Sequence, residues 1–190
     1  MFSERQKEIL TSSVEIIADK GIQGLTIKNL SKEIGISEAA IYRHFDSKTN
    51  ILFAILRSFE QESINFFKTD SEMNPKERIS EFFGKMLTVF QQRPSIVAVI
   101  FSEEIFQNDE KLTGLVNSIM KTNQEHIDNI IKEGQKNKIF RGDISSEYLT
   151  FYISGAMRLL VKDWRNNKSK DNLVAKGEDL LMNYFDLIKY

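Results

Sequence analysis

The chain has no cysteine, and its 190 residues include only two prolines, two histidines and one tryptophan. Without cysteine, disulfides, thiolate catalysis and Cys-type zinc sites are excluded. With proline so scarce and long polar–apolar periodic stretches dominant, the chain reads as all-α. The unbroken apolar run Ile96 to Phe101, which no other run in the chain exceeds, is far too short to span a bilayer. The opening Met1-Phe2-Ser3-Glu4-Arg5 lacks the charged-then-apolar order of a secretory signal. A cytoplasmic protein with no membrane partner is therefore expected. His44 and His126 share no metal-ligand spacing, and no Gly-rich phosphate loop is present. No Ser or Thr sits in a context that marks a nucleophile with a base in reach. The adjacent acids Glu103-Glu104 and Asp109-Glu110 read as solvated helix-end charge. No metal, cofactor or enzymatic activity is expected.

An excess of positive charge is also missing. The formal net charge is −1, which argues against an indiscriminate nucleic-acid binder. Even in the first fifty residues, Arg5, Lys7, Lys20, Lys28, Lys32, Arg43 and Lys48 are matched one for one by Glu4, Glu8, Glu15, Asp19, Glu33, Glu38 and Asp46. Any contact with DNA must come from arranged charge, with modest non-specific binding and a modest salt dependence.

The most informative stretch runs from Gly24 to Lys48. Thr26 can cap a helix with its hydroxyl, and Ile27, Leu30 and Ile34 follow at spacings that share one face. Gly35 suits the left-handed turn that ends a helix. Ile36 can pack inward and Ser37 can cap a second helix, whose apolar side is Ala40, Ile41 and Phe45. Tyr42, Arg43 and His44 are left partly outward, with Lys48 just beyond. An αα-hairpin in an ordinary bundle has similar spacing. The outward Tyr-Arg-His run on an otherwise apolar helix favours a helix-turn-helix whose second helix enters a DNA major groove.

The segment resembles the DNA-binding domain of the TetR/AcrR family of bacterial transcriptional regulators. The shared pattern is Gly21, Thr26, Gly35-Ile36-Ser37, Tyr42-Arg43-His44-Phe45 and Lys48, across roughly Glu8 to Leu56. The resemblance implies phosphate contacts from Thr26, Ser37, Tyr42 and Lys48, and base-edge contacts from Lys28, Ala39, Arg43 and His44. Ala40 stands where the family often has Thr, Ser or Gly, so no hydroxyl contact is available there. A turn from Glu133 to Asp143, with Gly134, Phe140, Arg141 and Asp143, resembles a recurrent connection of the same family.

About nine helices are expected: a three-helix DNA-binding domain over residues 1–46 and a helical ligand-binding and dimerisation domain over 47–190. Helices are placed at about Ser3–Lys20, through the helix-turn-helix, from Asp46 or Ser47 to about Lys68, from Asn74 to Arg93, over Ile96–Phe106, from Asn108 or Asp109 to Lys136, and over Ser146–Asn166 and Asp171–Ile188. Asn74-Pro75-Lys76-Glu77 has the residues of a capping box with Pro in the first turn.

The last two helices carry more than one apolar stripe, which implies either burial in a monomer core or a second copy of the chain. The resemblance favours a four-helix homodimer interface, assigned to Gly155, Leu160, Trp164, Gly177, Leu181, Tyr184 and Ile188. A twofold pair of recognition helices would read half-sites about 34–36 Å apart on a near-palindromic operator. Phe82, Phe83, Met86, Phe90, Phe101, Phe106, Met120, Asn123, Phe151 and Tyr152 are candidates to line a pocket for a small hydrophobic ligand, with Gln91 and His126 as further polar groups. Taken singly, each apolar one fits core packing as well. By resemblance, such an inducer would tilt the Asp46–Lys68 helix and release the operator. Some members of the fold act instead through protein partners.

Overall fold

A computed structural model of the chain describes residues 2–68, 72–101, 109–167 and 171–190. Within these residues it forms nine α-helices and no strand. They are α1 (Glu4–Gly24), α2 (Ile27–Ile34), α3 (Glu38–Tyr42), α4 (Lys48–Ser63), α5 (Pro75–Gln92), α6 (Pro94–Ile100), α7 (Glu110–Lys136), α8 (Ser146–Asn166) and α9 (Leu173–Ile188). The all-α architecture is the one the composition and periodicity indicate.

The helix starts follow local chemistry. Ser3 and Gln6 close a capping box ahead of α1, and Asn74 and Glu77 close another ahead of α5. Asp109 accepts backbone N–H bonds from Lys111 and Leu112 at the start of α7. Two ends differ from the sequence expectation. The first helix continues past Lys20: Gly21, at φ 68°, interrupts it and one further turn runs to Gly24. The α4 helix stops at Ser63, and Ile64–Phe67 tightens into a 3₁₀ turn. Phe106 and the rest of the helix expected over Ile96–Phe106 from residue 102 onward lie outside the described residues.

The chain packs as two compact units. The first comprises residues 1–61 and 95–117. There α1 packs on α2 and α2 on α3, around a core that includes Ile9, Ile17, Leu25, Leu30, Ile41, Phe45, Ile51 and Leu56. The second comprises residues 62–94 and 118–190. There α9 packs on both α5 and α8, burying Ile79, Phe82, Leu87, Ile130, Ile153, Met157, Trp164 and Leu181. A clasp closes this unit. The Arg141 backbone N–H donates to the Ile188 carbonyl (2.8 Å) and Tyr190 N–H to the Ile139 carbonyl (3.3 Å). The buried Phe140 ring stacks on Phe185. Lys138 takes a left-handed φ of 56° at this turn.

Candidate nucleic-acid interface

Each part of the helix-turn-helix is set by a residue suited to it. The Thr26 hydroxyl oxygen accepts from Asn29 N–H (3.0 Å), fixing the first turn of α2. Gly35 ends α2 at φ 75°, a left-handed conformation that costs any side chain with a Cβ. Both Gly35 and Ile36 backbone N–H groups donate to the Ser31 carbonyl at 3.0 Å. The Ser37 hydroxyl then accepts from Ala40 N–H (3.2 Å) and opens α3. Ile41 and Phe45 are buried beneath it.

The opposite side of this pair of helices is open. Thr26, Lys28, Ser37, Ala39 and Arg43 are exposed, and Tyr42 is 49% exposed. His44 is half-buried. Each capping hydroxyl has spent a lone pair on its helix and keeps its O–H hydrogen, so it can still donate to a phosphate. Lys48 differs from the other cations. Its Nζ donates to the Ile22 carbonyl at 2.8 Å, and partial burial lowers its pKa. Sequence reasoning gave no sign of that bond, because the partner is a backbone carbonyl in another helix. Asn29 was missed too: its side-chain amide donates to the Gly24 carbonyl (2.8 Å) and braces the corner between α1 and α2.

In the second unit most residues expected at a dimer interface are buried within the subunit, and three of those expected to line a pocket are exposed. Trp164 is 3% exposed and donates Nε1–H to the Asp171 carbonyl (2.7 Å). Tyr184 is buried and its hydroxyl donates to the Leu149 carbonyl (2.9 Å). Leu181 and Ile188 are also buried, and a Cβ on Gly177 would overlap Leu87. These five are therefore buried within the subunit: the four on α9 lie on the stripe that packs against α5 and α8, and Trp164 is a buried residue of α8 itself. Leu160 is half-buried, and only Gly155 is exposed. Of the pocket residues, Phe151 (49%), Tyr152 (58%) and Met120 (40%) are exposed. Phe151 and Tyr152 join Tyr148 and Leu159 on the outer face of α8, while α9 exposes Met182 and Leu187. These large side chains are left in water on two helices that pack on each other.

Phe82, Phe83 and Phe90 are buried in the second unit, while Met86 and Asn123 are half-buried there. Phe101 belongs to the first unit and is half-buried. Phe82 heads an aromatic cluster with His126, also a pocket candidate, and Phe67, which the sequence did not single out. It stacks on Phe67, with centroids 5.4 Å apart, and His126 lies 4.6 Å from Phe67 and 5.7 Å from Phe82. Burial first, and the nearby Arg78 charge second, lower the His126 pKa. Arg78 Nη1 donates to the Glu133 carboxylate at 2.6 Å. His126 Nε2 and Asn123 Oδ1 are buried and have no hydrogen-bond partner among the described residues. A separate groove of about 310 Å³ runs between the start of α5 (Lys76, Glu77, Ser80) and α9 (Glu178, Leu181, Met182, Phe185). None of the pocket candidates lines it.

Residues 9–55, which contain the whole of this helix-turn-helix, match the family described as bacterial regulatory proteins, tetR family. Residues 60–186 match the YsiA-like protein, C-terminal region, of that family. The chain belongs to the TetR family. Its N-terminal part is thus a helix-turn-helix DNA-binding domain and the protein is a transcriptional regulator. Among characterised relatives, the fatty acid metabolism regulator protein of Bacillus subtilis is 23% identical over 176 residues, covering 92% of this chain and 90% of the relative. The nucleoid occlusion factor SlmA of Mannheimia succiniciproducens is 25% identical over 171 residues, covering 86% and 79%. The ketosteroid transcriptional regulator KstR2 of Mycobacterium tuberculosis shares the fold, with a TM-score of 0.87 at 19% identity over 100% and 97% of the two chains. So does FadR of Bacillus subtilis in complex with stearoyl-CoA, at 0.77 and 21% over 94% and 97%. No helix of the described residues is long and apolar enough to cross a membrane.

Proposed function

We propose that the protein is a homodimeric, ligand-responsive repressor that binds a near-palindromic operator and is released by a small hydrophobic inducer. Residues 1–46 are assigned to DNA binding and 47–190 to ligand binding and dimerisation. In this reading Thr26, Ser37 and Tyr42 hold phosphates, while Lys28, Ala39, Arg43 and the half-buried His44 face base edges. The observation that carries it is the exposed Tyr42-Arg43 end of a short helix whose other side, Ile41 and Phe45, is locked in the core. Phosphate contacts set the register and base contacts the sequence preference.

The outer face of α8 and α9 supports dimerisation. Tyr148, Tyr152, Gly155 and Leu159 recur at helical spacing on α8, so two copies of this face can bury one stripe against the other. Inducer binding is assigned to the aromatic cluster of Phe67, Phe82 and His126 in the second unit. The similarity to FadR of Bacillus subtilis, solved in complex with stearoyl-CoA, supports a ligand with a long apolar part. An inducer acts only by preferring the state that does not bind DNA. The α4 helix, which starts beside the DNA-binding residues and ends in the second unit, is the element it would tilt.

Selection of bound fragments from a genomic DNA pool, followed by titration of stearoyl-CoA and shorter apolar compounds into the complex, tests this reading. One palindromic fragment class, held by two subunits and released by an apolar compound, is the expected result. A second reading has its own support, in the similarity to nucleoid occlusion factors. In that case the protein acts through a protein partner while bound to DNA, and no apolar compound releases the fragment.

A further inference from the structure

We propose that Lys48 is a positioning residue for operator binding rather than a phosphate ligand: its ammonium pins the first turn of α4 to the corner between α1 and α2. The inference rests on the DNA-binding reading above and reassigns one residue within it.

The corner is built from partly buried backbone. Gly21, at φ 68°, breaks α1, so the carbonyl of Ile22 belongs to a short terminal turn. That carbonyl accepts from Leu25 N–H (3.2 Å) and from Lys48 Nζ (2.8 Å), a residue 26 positions away. Carbonyls at a helix C-terminus form the negative end of its dipole and are favourable partners for a cation. Two residues further on, the Gly24 carbonyl accepts from the Asn29 side chain, and Asn29 N–H donates to the Thr26 hydroxyl. One run of hydrogen bonds and chain therefore leads from the first residue of α4, through Ile22 to Leu25, into the first turn of α2. Lys28 sits on that turn, and α2 packs on α3. Lys48 is half-buried and desolvated there, whereas Lys28 and Arg43 are exposed. A cation that holds a phosphate displaces a condensed counterion, and each such contact adds about 0.9 to the magnitude of the salt slope. A clip bonded to the protein's own carbonyl adds none. Its effect is to hold α2 and α3 at the angle the operator requires.

The experiment is Lys48→Met in the full chain, which removes the charge and the donor while keeping the length and most of the helix propensity. Binding to a selected operator duplex and to a random duplex of equal length is measured across salt concentrations. A clip predicts at least a tenfold loss on the operator, less than a twofold change on the random duplex and an unchanged operator salt slope. A phosphate ligand predicts losses on both duplexes and a slope shallower by about 1.8 per dimer, twice the single-contact value. That shallower slope overturns the proposal, and so do equal losses on both duplexes. Acetylation of the wild-type lysines, read by mass spectrometry, keeps the idea testable should Lys48→Met fail to fold. Lys48 should react more slowly than Lys28 in the free protein, with less than a twofold rate change on adding operator. Reaction as fast as Lys28, with tenfold protection by operator, overturns it. If the wild-type protein selects no DNA fragment, the DNA-binding proposal fails first, on a result that does not involve Lys48.

Discussion

Tyr152→Glu separates the two roles available to the outer face of α8. Tyr152 is 58% exposed, and the next residue, Ile153, is fully buried. In an isolated subunit the substitution changes a solvated side chain and should leave stability within about 0.5 kcal/mol. In a symmetric dimer the same residue is buried twice. Truncating a well-packed interface aromatic costs on the order of 1–2 kcal/mol, and the twofold axis doubles this to about 2–4 kcal/mol. At about 1.4 kcal/mol per decade the dimer Kd should rise by roughly 30- to 700-fold, before any cost of burying the carboxylate. Sedimentation velocity over a concentration series reads the Kd, and thermal unfolding of the dissociated subunit reads its stability. An unchanged Kd would refute the dimer assignment. A large loss of stability in the dissociated subunit would show that Tyr152 supports the fold itself. Ile153→Ala is the contrasting control, with a core cost of about 2–5 kcal/mol.

Three further outcomes are expected. Gly134→Ala should lower stability by about 1–3 kcal/mol in denaturant titration, because its Cβ would overlap the buried Phe140 ring; an unchanged midpoint would refute the close packing of that clasp. Gly35→Ala should cost about 1–2 kcal/mol from the left-handed φ alone, read by the same titration. His126 has its pKa lowered from the ordinary value of 6.5, so the unfolded chain takes up the proton first. Its contribution to stability is then present above about pH 6.5 and is lost as pH falls below it. His126→Gln should flatten stability against pH between about pH 7 and 5, and an unchanged slope would place the titration elsewhere.

The DNA-binding segment was legible because its signals are local. Thr26, Gly35 and Ser37 each act on backbone within three to six residues, so position in the sequence is close to position in space. The second unit was legible in class and in helix placement but not in facing. Its last two helices are apolar on two sides, and periodicity cannot tell the stripe that meets α5 from the one left outside. The second apolar stripe and the resemblance assign Trp164 and Tyr184 to a dimer interface, yet each places its polar atom on a backbone carbonyl within the subunit. Phe151 and Tyr152, as large aromatic residues, are expected to line a pocket and are exposed. The Lys48–Ile22 bond and the Phe67–His126 contact join residues distant in sequence, and no local pattern encodes them.

The central claim, that α3 reads base edges in a major groove, is tested most directly by Arg43→Ala. Binding is measured against the selected operator and a panel of its single-base-pair variants at fixed salt. The account predicts a loss of about 1–3 kcal/mol, confined to discrimination at one base-pair position and its symmetry mate. Equal weakening across the operator, every variant and random DNA would contradict it.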